Sequence, residues 1–96
     1  MNKLNYQKLE KLKEKELIDE LTRIFEENDD AAALLLAQSS SPDVLDILAE
    51  YNSLLVRKAV VENPNTSTDT LKSLEENDTF WIAAEAKVLL DNREKK

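Results

Sequence analysis

The sequence predicts an all-α fold: a short helical-repeat solenoid of stacked hairpins, closed by an N-terminal capping helix. Three observations carry that prediction. The 96 residues contain no Gly and only two Pro, while Ala, Leu, Glu and Lys, all good helix formers, dominate. One pattern, Leu-x-x-(Leu or Ile)-x-Glu-x-(Asn or Asp), occurs three times, at residues 21–28, 45–52 and 71–78, with offsets of 24 and 26 residues. Each copy is followed by an apolar run, at residues 31–37, 54–61 and 80–90, so every unit reads as a helical hairpin. Units of this length do not bury their apolar faces alone and stack on their neighbours instead.

The elements follow in chain order. Residues 3–27 form a long amphipathic stretch with Leu9, Leu12, Leu17, Leu21, Ile24 and Phe25 on one side, read as a single helix over the open end of the stack. The alternative is a coiled-coil dimer, but the step from Leu12 to Leu17 breaks a strict heptad. A second helix is expected at 30–38. Ser41 before Pro42 sets a hydroxyl N-cap next to a proline at the first helical position, where the missing N–H costs nothing, and starts a helix over 42–50. A helix over 54–62 ends because the ring of Pro64 drives Asn63 out of the α region. Ser67, 26 residues after Ser41, caps a helix over 68–76 whose first turn carries Asp69 at the positive end of the dipole. The last helix is expected at 79–91, with Asn52 and Asp78 as caps for the second helices of their units. Without Gly, any turn that needs positive φ falls on Asn or Asp.

Residues 56–74 contain Val56, Arg57, Val60, Asn63, Pro64, Thr66, Leu71 and Leu74, in the order helix, Asn-Pro turn, new helix. This stretch resembles the variant leucine-rich repeat family, whose units run Val-Arg-x-x-Val-Ala-x-Asn-Pro-x-Thr-Pro and then spaced leucines. The resemblance covers about residues 37–92 and implies a superhelix in which a short helix, often 3₁₀, alternates with an α-helix, a stack of the general kind that HEAT repeats also build. Departures are Ser67 where proline is usual, a shortened turn at 39–42, and no Asn-Pro step at 89–92. Some members carry an iron–sulfur cluster on an N-terminal cysteine domain; with no Cys, this chain is read as a short degenerate member without it.

Length allows one domain, 1–96, divided into the capping helix at 1–27, hairpin repeats at 28–92 and a polar tail at 93–96. A chain of this size buries roughly 60–65% of its unfolded surface. The absence of Cys leaves no disulfide framework and no thiolate metal site. No signal-like apolar core and no run of about 18 apolar residues occurs, so the expectation is a cytoplasmic protein without membrane contact.

Charge is uneven. Residues 1–15 carry net +3, residues 16–50 net −9 and residues 51–96 net −1, within a total of −7. A net-acidic chain is a poor direct binder of nucleic acid, which needs clustered Lys and Arg. The acidic segment reads first as solvated helix faces and caps. A sharper reading makes Glu26, Glu27, Asp29 and Asp30 a negative surface for a basic partner, as in a small acidic inhibitor, encoded by a phage or mobile element, that imitates nucleic acid.

Catalysis has little to build on. Neither His nor Cys is present, so the usual base, thiol and soft metal ligands are missing, and no Gly exists for a phosphate loop. Asp29 and Asp30 lack the spacing of a Ca²⁺ loop. The expectation is therefore no enzyme, no cofactor and no metal. Tyr51, Phe80 and Trp81 are the aromatic residues able to anchor a partner. Phe80 and Trp81 point about 100° apart on a helix, so one should enter the core and the other lie nearer the surface. Core or terminal-cap packing is the simpler reading for both; partner binding is retained for Tyr51 and Trp81. Arg57 is expected to bond across the repeat junction. The sequence thus points to a non-enzymatic protein–protein interaction module, more readily a monomer than a homodimer, with the acidic inhibitor as the alternative. A third possibility is a structural subunit stacking end to end through its C-terminal unit, against which the polar tail argues.

Overall fold

The computed structural model describes residues 3–39 and 41–95. Among them are seven α-helices: α1 (Tyr6–Leu9), α2 (Lys15–Glu27), α3 (Asp30–Leu36), α4 (Pro42–Leu48), α5 (Leu54–Glu62), α6 (Thr68–Asn77) and α7 (Phe80–Glu94). The protein is all-helical. None of these helices is long and apolar enough to cross a membrane.

The helix expected over 3–27 is instead two. At about 100° per residue, Leu9 and Leu12 would point roughly 120° away from the stripe of Leu17, Leu21 and Ile24 on one straight helix. Leu9, Leu12, Leu21 and Ile24 are all buried, so the chain has to turn between them. It does so through short i+3 bonds, Lys11 N–H to Lys8 C=O (3.2 Å) and Leu12 N–H to Leu9 C=O (3.1 Å). Tertiary burial has won over helix propensity here.

The other boundaries follow local chemistry. Asn28 ends α2 at φ 54°, the one positive φ among the described residues, on a side chain that tolerates the left-handed region. Asp29 then caps α3, accepting the Ala32 N–H (3.1 Å). Ser41 accepts the Val44 N–H (3.3 Å) ahead of Pro42, and Ser67 accepts the Thr70 N–H (3.1 Å). Removing either hydroxyl leaves an N–H without its acceptor. Ser41→Ala and Ser67→Ala are each expected to cost about 1 kcal/mol in urea-unfolding free energy; a loss below about 0.3 kcal/mol in both would rule these caps out as stabilising elements.

Asn52 and Asp78 do not cap α5 and α7. Those N-caps are Ser53 and Thr79, neither of which makes a side-chain cap bond. Asp78 closes the end of α6, binds Arg57 through one carboxylate oxygen and accepts the N–H of the α7 N-cap residue Thr79 (2.6 Å) through the other.

The helices pair α2 with α3, α4 with α5 and α6 with α7, while α3 packs on α5, α5 on α7, and α1 covers α4. Between them lies one apolar core that includes Leu21, Ile24, Leu45, Ile47, Leu48, Tyr51, Val56, Val60, Val61, Leu71 and Ile82. The molecule measures 38 × 25 × 21 Å.

Side chains tie successive turns together. The Asn63 amide nitrogen donates to the carbonyls of Ala37 and Ser39, both at 2.9 Å, and its oxygen accepts the Asn65 N–H. One hairpin later, Arg93 donates to the Thr66 carbonyl (2.7 Å) and the Thr68 hydroxyl (3.0 Å). A long cation at the end of α7 thus holds the turn before α6, as a short amide holds the turn before α4.

Candidate interaction surface

The inward stripe of α7 is Ile82, Ala86 and Leu90, spaced four apart. Phe80 and Trp81 lie roughly 120° and 140° from the middle of that stripe, on opposite sides. Both therefore point outward, with 83% and 80% of their surface exposed, and neither enters the core as the sequence had suggested. Ala84 and Val88 are exposed on the same arc, so α7 is apolar on both faces.

The helices beside it repeat the arrangement in weaker form. In α5, Val56, Val60 and Val61 turn inward while Leu54 and Leu55 face solvent. In α3, Ala33 turns inward and Leu34 and Leu35 outward, Leu35 at 76% exposure. Scattered exposed leucines are ordinary on a small domain. Two adjacent exposed aromatic residues with a valine two turns on are the kind of patch that marks contact with another molecule.

Tyr51 is different. It is 0% exposed, its ring stands edge-on to Phe25 (centroids 5.1 Å apart, planes at 84°), and its hydroxyl donates to Asp30 at 2.6 Å. It belongs to the core and offers no ring to a partner. The signal for this was the polar handle: a buried tyrosine needs an acceptor, and Asp30 supplies it.

Much of the acidic segment is used internally. Arg23, which sequence reading passed over, gathers Glu20 (2.7 Å), Asp29 (3.0 Å) and Glu27 (3.2 Å). Its hydrogen bonds to Glu20 and Asp29 hold its guanidinium above the ordinary arginine value, while the Ala32 N–H and Arg23 hold the Asp29 carboxyl below the ordinary carboxylate value. Asp30 takes the Tyr51 hydroxyl, whereas Glu26 is exposed.

A groove of about 610 Å³ opens elsewhere, lined among others by Lys8, Glu50, Asn52, Arg57, Asn77 and Asp78. Its charges are matched. Lys8 meets Glu50 (2.6 Å) and Asp46 (3.2 Å), and Arg57 meets Asp78 (2.8 Å) and the Tyr51 carbonyl (2.8 Å). Burial acts to lower the Lys8 ammonium, but Glu50 and Asp46 outweigh it and hold it above the usual lysine value. These pairs lock helices together.

Between α5 and α7, Lys58 pairs with Glu62 (2.6 Å), and Glu85 sits close enough to Glu62 to feel its charge. Burial, then that like charge, pushes the Glu85 carboxyl above its ordinary value. No protein-family model, curated protein or solved structure matches this chain. Among the described residues, the outer faces of α3, α5 and α7 carry every large exposed apolar side chain except Tyr6, and Trp81 is the residue among the sequence-level candidates that stands on them.

Proposed function

We propose that this chain is a non-enzymatic, cytoplasmic protein–protein interaction module, a short solenoid of three helical hairpins that presents the outer faces of α3, α5 and α7 to another protein. The observation that carries the reading is the outward display of Phe80 and Trp81 beside Val88. Exposed aromatic side chains supply large contact area at low entropic cost and are frequent anchors of interfaces.

Support for the repeat comes from bonds that recur along the chain. Ser41 and Ser67 cap equivalent helices 26 residues apart, and Asn63 and Arg93 each reach back to the turn of the preceding hairpin. The capping serines and these back-reaching bonds favour the resemblance to variant leucine-rich repeats at residues 56–74. The acidic-inhibitor alternative has less behind it, because Arg23 and Tyr51 already occupy Glu27, Asp29 and Asp30.

The test is affinity capture from source-cell lysate at about 300 mM salt, where exposed charge contacts are weakened. Wild-type protein is expected to retain a specific protein that Phe80→Ser/Trp81→Ser loses at least tenfold, with an unchanged melting temperature. Equal retention by both would sink the reading. Capture confined to low salt, and insensitive to these residues, would favour the acidic alternative.

A further inference from the structure

We propose that the trough between α5 and α7 seats an arginine of the partner protein, stacked on Trp81 and paired with Glu85, on a segment whose flanking side chains are apolar. This rests on reading the outer faces of α5 and α7 as an interaction surface; it adds the chemistry of what they bind.

The N-caps Ser53 and Thr79 stand 26 residues apart, so Leu54 and Leu55 begin α5 as Phe80 and Trp81 begin α7, and the two helices pack on each other. Trp81, Glu85 and Val88 follow steps of four and three and share one flank of α7. Glu85 feels the charges of Glu62 and Lys58, which turns that flank toward α5. Leu55, Lys58 and Glu62 form the matching stripe on α5, by steps of three and four. The apolar members of the two stripes, Leu55, Trp81 and Val88, are all well exposed. Phe80 stands on the far flank of α7 and takes no part.

Charge decides the guest. Lys58 is bonded to Glu62 at 2.6 Å, and among the described residues no ion pair reaches Glu85, so two carboxylates share one ammonium. Burial, then the Glu62 charge, raises the Glu85 carboxyl, and a cation arriving beside it offsets the second of these. A neutral apolar segment laid over Leu55, Trp81 and Val88 would take Glu85 out of water with no partner, which is costly. A segment that brings its own cation removes that cost. Arginine fits better than lysine: its planar, weakly hydrated guanidinium can lie on the indole while its N–H groups reach a carboxylate one helical turn away. The arginines of this chain, Arg23, Arg57 and Arg93, are each bonded within their own molecule, so the guest belongs to a different protein.

Trp81 is the sole tryptophan, so its emission reports on the seat itself. The probe is a synthetic amphipathic helix of leucine and alanine with one arginine at the edge of its apolar face, compared with its citrulline counterpart, which has the same shape and no charge. Both are titrated to about 1 mM into the full chain and into Glu85→Gln. The arginine peptide is expected to change Trp81 emission and to bind wild type at least about fivefold more tightly than the citrulline peptide. Glu85→Gln, with an unchanged melting temperature, is expected to bind the two alike. No response to the arginine peptide, equal binding of both peptides by wild type, or a preference that survives in Glu85→Gln overturns the proposal. Where Phe80→Ser/Trp81→Ser still loses the captured protein, those results end the arginine seat alone; equal capture ends the broader reading as well.

Discussion

Replacing Tyr51 by alanine is expected to lower the unfolding free energy by about 4 kcal/mol, within the range for deleting a fully buried aromatic ring. The ring sits at the C-terminal side of α4, at 0% exposure, edge-on to Phe25 of α2. Its loss opens a cavity between the first two hairpins and abandons the hydroxyl bond to Asp30. For a domain of this size the melting temperature should fall by roughly 20 °C. Tyr51→Phe separates the parts, because it keeps the ring and removes only the bond. Asp30 is exposed and can turn to water, so the phenylalanine variant is expected to lose only about 1 kcal/mol. Urea unfolding of the two variants checks both numbers. An alanine variant as stable as the phenylalanine one would mean that the ring contributes no packing.

Arg57→Ala is expected to cost about 3 kcal/mol, for a different reason. The guanidinium joins the Asp78 carboxylate to the Tyr51 carbonyl, and the Asp78 side chain is only 7% exposed. Removing the cation strips one oxygen of a nearly buried carboxylate of its partner and leaves it held by the Thr79 N–H (2.6 Å) alone, which is more damaging than never having had the pair. Arg57→Lys should recover less than half of the loss, because a single ammonium cannot reproduce the planar fork that reaches both acceptors. Arg57→Leu/Asp78→Asn should be more stable than Arg57→Ala alone, since no charge is then stranded. If Arg57→Ala unfolded at the same urea concentration as wild type, the tie would be without energetic weight.

These residues show where sequence was informative. Ser41 with Pro42, Ser67, and Asn63 with Pro64 act through bonds to their own or adjacent turns, so helix starts and stops could be placed within two residues from α3 to α6. The break between α1 and α2 has no such marker. It arises because Leu9 and Leu12 must face the same core as Leu21 and Ile24, a demand that exists only once the other helices are in place. The candidate site was legible in part. Apolar type suggested burial for Phe80, yet the period set by Ile82, Ala86 and Leu90 turns it outward with Trp81. Reading α7 as two stripes would have found this. Tyr51 was misread as an anchor because its acceptor, Asp30, lies 21 residues away. Arg93 escaped notice since a long side chain does the work of an Asn-Pro turn from a different position.

The grip of Asn63 on the carbonyls of Ala37 and Ser39 also fixes chain length. With the far end of the same hairpin held by Tyr51 on Asp30 and Arg57 on the Tyr51 carbonyl, both ends of α4 and α5 are pinned. An insertion or deletion of one residue within either helix would pull one set of bonds out of reach, and a surviving variant would have to restore the count nearby. The turn at residues 10–14, exposed apart from Leu12, carries no tie of this kind between hairpins, so related chains should vary in length there first.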